Sequence, residues 1–96
     1  MKSSFTIHDL PLSERPRERL LKLGTEALSA PEILALILGR GVVGESVMVT
    51  AQKLLSRFGS LKGGATASVE ELSEIKGIGP AKAAQLKVTF ELGKRL

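Results

Sequence analysis

Apolar residues recur at helical spacing through most of the chain. The clearest stripe predicts a helix from Glu45 to Phe58, closed by Gly59, with Thr50, Lys53 and Arg57 on its polar face. The positions of that stripe are Val47, Met48, Ala51, Leu54, Leu55 and Phe58. This helix therefore has one side for a core and one for solvent.

Two earlier segments also have helix signals. Pro16 stands early and Gly24 follows the end of a basic segment from Arg15 to Leu23, which predicts a helix that packs its leucines inward. Ser29 and Glu32 have the spacing of a capping box. The run that follows them, 33–38, has no polar face, so we expect its helix to be buried on nearly every side.

The C-terminal third predicts two more helices. Residues 60–67, with two adjacent glycines, indicate a flexible connector. A second capping box, Ser68 with Glu71, starts a short helix that ends at Ile75, and Pro80 opens a helix to about Arg95. That last helix has two apolar stripes, which predicts packing between two neighbours. One stripe is Ala81, Ala84, Val88, Leu92 and Leu96, and the other is Ala83, Leu86 and Phe90.

An internal repeat organises these helices. Residues 31–41 align with residues 69–79 at a constant offset of 38, which matches Leu34 with Leu72 and both glycines of each turn. We therefore predict an all-α, five-helix domain over residues 15–96. It is built from two helix-hairpin-helix units, about 29–58 and 68–96, related by a pseudo-two-fold axis. The first unit is degenerate because Arg40 replaces the apolar residue of the turn and extra residues, Val42 to Glu45, come before the next helix. Residues 1–14 are an extended lead-in.

Composition narrows the function. The 96 residues include no cysteine and one histidine, His8, which argues against disulfides, structural zinc or another metal site. Three aromatic residues are too few for a base-stacking surface, while the net charge of +4 suits a polyanion. No membrane-length apolar run or cofactor motif is present. We expect a cytoplasmic, non-enzymatic protein without a cofactor or catalytic residues.

The second turn carries the most informative pattern. Two glycines between apolar anchors allow a turn that brings backbone amides close to a phosphate at a helix N-terminus, with lysines on either side. The predicted DNA-binding residues of this turn are Lys76, Gly77, Ile78, Gly79, Ala81 and Lys82. In the first turn they are Gly39, Arg40 and Gly41. The alternative is that the glycines only make tight interhelical turns and the lysines only solvate the surface.

Charge supports the DNA interpretation. Residues 76–96 contain five basic residues against Glu91 alone, whereas the preceding short helix carries three glutamates. This polarity predicts that the turn and the last helix face DNA. The partner would be duplex or junction DNA, bound through its phosphate backbone.

Two other functions stay open. The chain could be a protein-interaction or regulatory module in which a stripe of the last helix, such as Leu86 and Phe90, docks on a partner. It could also be a structural spacer, which would need neither a basic turn nor open glycine amides.

Taken together, these motifs resemble the N-terminal region of the RadC-like (UPF0758) family of bacterial proteins. The resemblance rests on Asp9 to Pro11, Arg15 to Leu20, Glu32 to Gly41, Gly44 to Ser46 with the helix after it, and Ile75 to Ala83. It implies a role in DNA repair. It also implies a following JAB/MPN domain, metallopeptidase-like, whose metal-ligand motif this chain lacks, so the chain resembles a domain fragment without that activity.

Overall fold

A computed structural model describes residue 10 and residues 15–96. The predicted lead-in lies outside the described residues, apart from Leu10, whose carbonyl accepts a hydrogen bond from Arg15 Nε at 3.2 Å. The fold over the described residues is all-α. Its helices are α1 (Pro16–Leu23), α2 (Ala30–Leu38), α3 (Val47–Phe58), α4 (Leu61–Thr66), α5 (Val69–Ser73) and α6 (Pro80–Lys94), with a 3-10 turn at Thr25–Ala27.

Both predicted hairpins are present, as α2–turn–α3 and α5–turn–α6. The helices of each hairpin pack against one another, and α2 also packs on α6, which joins the two hairpins. The core between them contains Leu34, Leu54, Leu72, Ile78 and Leu86, all at most 1% exposed. The pseudo-two-fold relation and the domain limits stay predictions.

Serine side chains begin four of the six helices. Ser29, Ser46, Ser60 and Ser68 each accept a hydrogen bond from the backbone amide three residues later. Both predicted capping boxes are confirmed, since the Ser29 and Ser68 amides donate to their glutamate partners at 2.9 Å. By contrast, α1 and α6 begin with proline and have no side-chain cap.

The predicted flexible connector is wrong, because residues 61–66 form α4 and give a sixth helix. Its two glycines serve close packing. A Cβ at Gly64 would lie 2.8 Å from Leu54 Cδ2, and one at Gly63 would collide with the Phe58 carbonyl. Lys87 Nζ then donates to the Ala65 carbonyl at 2.9 Å, near the end of this helix.

Burial also differs from several expectations. In α1, Leu21 and Leu23 are 78% and 55% exposed, although this helix contacts α2 and the 3-10 turn, so the expectation that its leucines all pack inward is wrong. The run 33–38 is not buried on every side, because Ile33 is 38% exposed. In α3, which begins at Val47 because Ser46 is its cap, Thr50 is buried although it was expected on the polar face.

Only one stripe of α6 is buried. Ala83 and Leu86 are fully buried and Phe90 is half-buried, whereas Val88 and Leu92 are each 65% exposed. The expectation that both stripes of α6 are buried is therefore wrong for the described residues, although α6 does pack against more than one neighbour, namely α5, α2 and α4. Among these residues, no helix combines the length and the apolar character that crossing a bilayer requires.

We predict that Ser68→Ala lowers stability by about 1 kcal/mol, because the Glu71 amide loses the serine oxygen that accepts its hydrogen bond, although the backbone amide of residue 68 can still donate to the Glu71 carboxylate. Thermal unfolding followed by circular dichroism would measure the change. Ser56→Ala is the matched control, since Ser56 is exposed within α3 and caps no helix. Equal melting temperatures for the two variants would contradict the role assigned to this cap.

Candidate nucleic-acid interface

Buried apolar side chains anchor the second hairpin turn to the core. Ile75 and Ile78 are 7% and 1% exposed, and the Ile78 amide donates to the Ile75 carbonyl at 2.9 Å. Ile78 was predicted among the DNA-binding residues, but its side chain lies in the core and its amide is already used. Its place in the structure is that of an anchor for the turn.

The two glycines of this turn have different environments. Gly77 has φ +96°, which disfavours any residue with a side chain, and a Cβ there would lie 2.8 Å from Thr50 Oγ1. Gly79 has an ordinary φ of −84°, and a Cβ there would meet nothing within 4 Å. Gly77 is therefore required by packing, whereas Gly79 leaves the surface open.

The start of α6 has backbone amides without partners. Gly79 is its N-cap, and its carbonyl accepts from the Ala83 amide at 2.9 Å, so the helical hydrogen-bond ladder begins there. The amides of Ala81 and Lys82 precede that first bond, and no side chain caps them. These amides can donate hydrogen bonds outward, and the positive end of the helix dipole favours an anion as the acceptor.

The two lysines of the turn lie differently. Lys76 is exposed. Lys82 is half-buried, and its Nζ donates a hydrogen bond to the Arg40 carbonyl of the first hairpin. Gln85 Nε2 donates similarly to the Ile37 carbonyl at 2.6 Å. Lys82 therefore joins the two hairpin turns while its charge stays beside the start of α6.

The remaining basic residues of α6 do not extend this surface as the charge count predicted. Lys87 is bonded to α4. Lys94 and Arg95 lie at the far end of the helix, where both pair with Glu91 at 3.8 Å and 2.9 Å. The positive charge beside the second turn comes from Lys76 and Lys82.

The first hairpin turn is built differently. Gly39 ends α2 with φ +84°, and the Arg40 side chain is exposed. Gly41 faces inward, because a Cβ there would lie 2.8 Å from the Val47 amide nitrogen. One amide of the first turn of α3 is already capped, since Ser46 Oγ accepts from the Val49 amide at 3.2 Å. The starts of α3 and α6 therefore differ, because a side chain caps α3 and none caps α6.

A buried polar cluster connects the two turns, and sequence analysis missed it. Thr50 Oγ1 donates to the Glu45 carboxylate at 2.8 Å, and Lys53 Nζ approaches the same carboxylate at 2.5 Å. Thr50 in turn lies beneath Gly77. A glutamate followed five and eight residues later by threonine and lysine is too common a pattern to have indicated this cluster.

Hydrogen bonding from Lys53 is the main reason that the pKa of Glu45 lies below its ordinary value of 4.5. Burial opposes this shift, while the Thr50 hydroxyl and the nearby charges of Lys53 and Lys76 strengthen it. The carboxylate is therefore ionised at neutral pH despite being 7% exposed.

The two turns border neighbouring grooves. A shallow groove follows the second turn from Ser73 to Lys82, and Val42 of the first turn lines it too. Val42 also lines a second groove beside the first turn. The structure thus brings together the residues predicted in the two turns, and it leaves Leu86 and Phe90 on the opposite, core-facing stripe of α6.

Residues 7–84 match a family described as UPF0758 N-terminal. The chain is 47% identical over 91 residues to a UPF0758 protein of Desulforudis audaxviator (strain MP104C), covering 95% of this chain and 40% of that protein. It is 50% identical over 93 residues to UPF0758 protein TTE0897 of Caldanaerobacter subterraneus subsp. tengcongensis, covering 97% and 40%. The chain thus spans about two fifths of the length of these relatives. No solved structure matches.

We predict that Gly77→Ala destabilises the fold by about 2 to 3 kcal/mol, because alanine resists a positive φ and its Cβ would crowd Thr50. Urea unfolding would measure the loss. Gly79→Ala is the matched control, with an expected change within about 0.5 kcal/mol. Similar losses for both variants would show that the two glycines do not differ as described.

We predict that Glu45 stabilises the fold at neutral pH and that this contribution disappears in acid. Because its folded pKa is lowered, the stabilisation is present above the ordinary value of 4.5 and is lost as pH falls through the folded value. Glu45→Gln should be less stable than the parent by about 1 to 3 kcal/mol at pH 7. Thermal melts across pH should show this gap closing below pH 4.5.

The exposed Glu70, substituted to glutamine, controls for the loss of one negative charge. A stability gap between Glu45→Gln and the parent that stays constant into strong acid would contradict the role assigned to the Glu45 carboxylate.

Proposed function

The chain belongs to the UPF0758 N-terminal family, and we propose that it binds DNA by holding backbone phosphates at its second hairpin without reading base sequence. The observation that carries the proposal is the open start of α6. Gly79 has no side chain, nothing lies within 4 Å of the position its Cβ would take, and the amides of Ala81 and Lys82 have no cap.

The capped helices of the same chain indicate what such an opening accepts. In α2 to α5 a serine oxygen accepts a hydrogen bond from an amide in the first turn. At α6 a phosphate oxygen from outside would take the position of that serine oxygen, with the helix dipole favouring its negative charge. Lys76, exposed beside the turn, and Lys82 add attraction for the same anion.

The chemistry of this site explains why base sequence would not be read. Backbone amides and lysines bond to phosphate oxygens, which are the same at every nucleotide. The chain also has only three aromatic residues with which to stack on bases. The proposal also includes a role in DNA repair or recombination, a cytoplasmic location, and binding of DNA without catalysis by this chain.

A second candidate function is protein interaction. The observation that favours it is the exposed apolar stripe of α6, where Val88 and Leu92 are each 65% exposed. The stripe first considered for this role, with Leu86 and Phe90, faces the core instead. Under this alternative, the exposed stripe of α6 would bind a JAB/MPN domain of the longer protein or another protein partner.

We predict that Gly79→Glu weakens DNA binding at least tenfold, about 1.4 kcal/mol, because its carboxylate would occupy the phosphate site and repel the backbone. Fluorescence anisotropy of a labelled duplex and a four-way junction would measure the affinity across a range of salt. For the parent, log K should fall against log salt with a slope of about −3.6 if four phosphates are neutralised.

Gly93→Glu is the matched control. Gly93 also lies in α6 with nothing within 4 Å of a Cβ, so this variant adds the same charge away from the turn. Equal losses of DNA affinity in the two variants would show that the added negative charge alone weakens binding. That result would contradict the placement of the phosphate site at the second turn. A parent that does not bind at low salt would overturn DNA binding altogether and leave the α6 stripe as the surface to study.

A further inference from the structure

The groove beside the first hairpin turn is lined by three arginines. Arg15 and Arg17 come from the start of α1, and Arg40 comes from the turn after α2. The groove has a volume of about 570 Å³, and Ala35, Leu36 and Val47 contribute apolar lining. We propose that this groove binds a second phosphodiester group of the DNA held by the other hairpin, an inference that rests on the proposed function.

The first turn needs side chains for this task because its backbone is closed. Ser46 caps α3, and Gly41 packs against the backbone at the start of that helix. An arginine side chain provides a planar set of donors that matches two phosphate oxygens at once. Arg17 and Arg40 are both exposed, and within the described part of the chain neither side chain makes an ion pair.

The charge of the groove favours an anion. Its acidic residues are Glu18 and Glu45, and the Glu45 carboxylate is already bonded to Lys53 and Thr50. Among the described residues of the groove, the side chains of Arg17 and Arg40 therefore stand against one glutamate available to them, Glu18. Since Arg15 Nε donates to the Leu10 carbonyl, the phosphate contacts are assigned to Arg17 and Arg40.

The two proposed phosphate sites belong to one surface. Val42 lines both grooves, and the hydrogen bond from Lys82 to the Arg40 carbonyl joins the two turns directly. A single duplex that contacts the start of α6 would therefore extend over the first turn as well. Two points of contact would also fix the orientation of the protein on DNA, which one phosphate site alone does not.

The test is the double variant Arg17→Gln, Arg40→Gln, compared with Lys22→Gln, Lys62→Gln, which removes the same charge from exposed positions outside both grooves. The arginine variant should bind a labelled duplex about tenfold more weakly, with a salt slope shallower by about 0.9 for the lost phosphate. The lysine variant should keep the parent slope. Unchanged melting temperatures would show that both variants fold.

Gly79→Glu separates this inference from the proposed function. If Gly79→Glu loses binding while the arginine and lysine variants behave alike, the groove assignment is wrong and the second hairpin stands. If the arginine variant loses binding while Gly79→Glu keeps it, the second hairpin is wrong, and the groove remains a phosphate site on its own evidence.

Inorganic phosphate separates DNA from a free anion as the source of the phosphate. DNA binding is measured with phosphate and with chloride at equal ionic strength. A selective loss of DNA affinity in phosphate, seen for the parent and absent from the arginine variant, would show that phosphate and DNA compete for the groove and would support a site for DNA phosphates. If inorganic phosphate binds the parent but not the arginine variant in calorimetry, while both proteins bind DNA equally, the groove is a site for free phosphate and the DNA assignment is wrong.

Discussion

The contact between Thr50 and Gly77 is the constraint on which the rest of the surface depends. A Cβ on Gly77 would lie 2.8 Å from the Thr50 hydroxyl, so the second turn can lie this close to α3 only with glycine at that position. The same hydroxyl donates to the buried carboxylate of Glu45, which Lys53 holds in its ionised form. The first hairpin thus supports the turn of the second, so we expect a substitution in either contact residue to alter the packing of both hairpins.

Helix capping divides the surface into closed and open parts. In each of α2 to α5 a serine oxygen accepts a hydrogen bond from one amide of the first turn, so these helix starts are partly capped by the chain itself. The start of α6 has Gly79 and Pro80 instead, and its free amides lie beside Lys82. The serine cap that stabilises most of the other helix starts is therefore absent at the start of α6, where we propose that a ligand takes its place.

The two hairpins differ in the groups they present. The second offers backbone amides and Lys76, whereas the first has a capped helix and an inward-facing Gly41. Arginine side chains from α1 and the first turn border the groove there. Under our proposal the first hairpin binds a phosphate through these side chains, because its backbone does not offer the open helix start of the second hairpin.

The sequence by itself determined the all-α class, both capping boxes, both hairpins and the family, because these follow from residues close together in the chain. Ser68 and Glu71, or Gly77 and Gly79, act on their own turn, and their spacing alone carries the signal. The sequence did not distinguish the work of Gly77 from that of Gly79, because the difference lies in Thr50, a residue of another helix. It also took the glycines of α4 as flexible, whereas Leu54 and Phe58 pack against them. Only the tertiary structure decided three further features: the buried stripe of α6, the hydrogen-bond partners of Lys82 and Lys87, and the arginines that border one groove. Each of these depends on segments that are far apart in the chain and meet only when the helices pack.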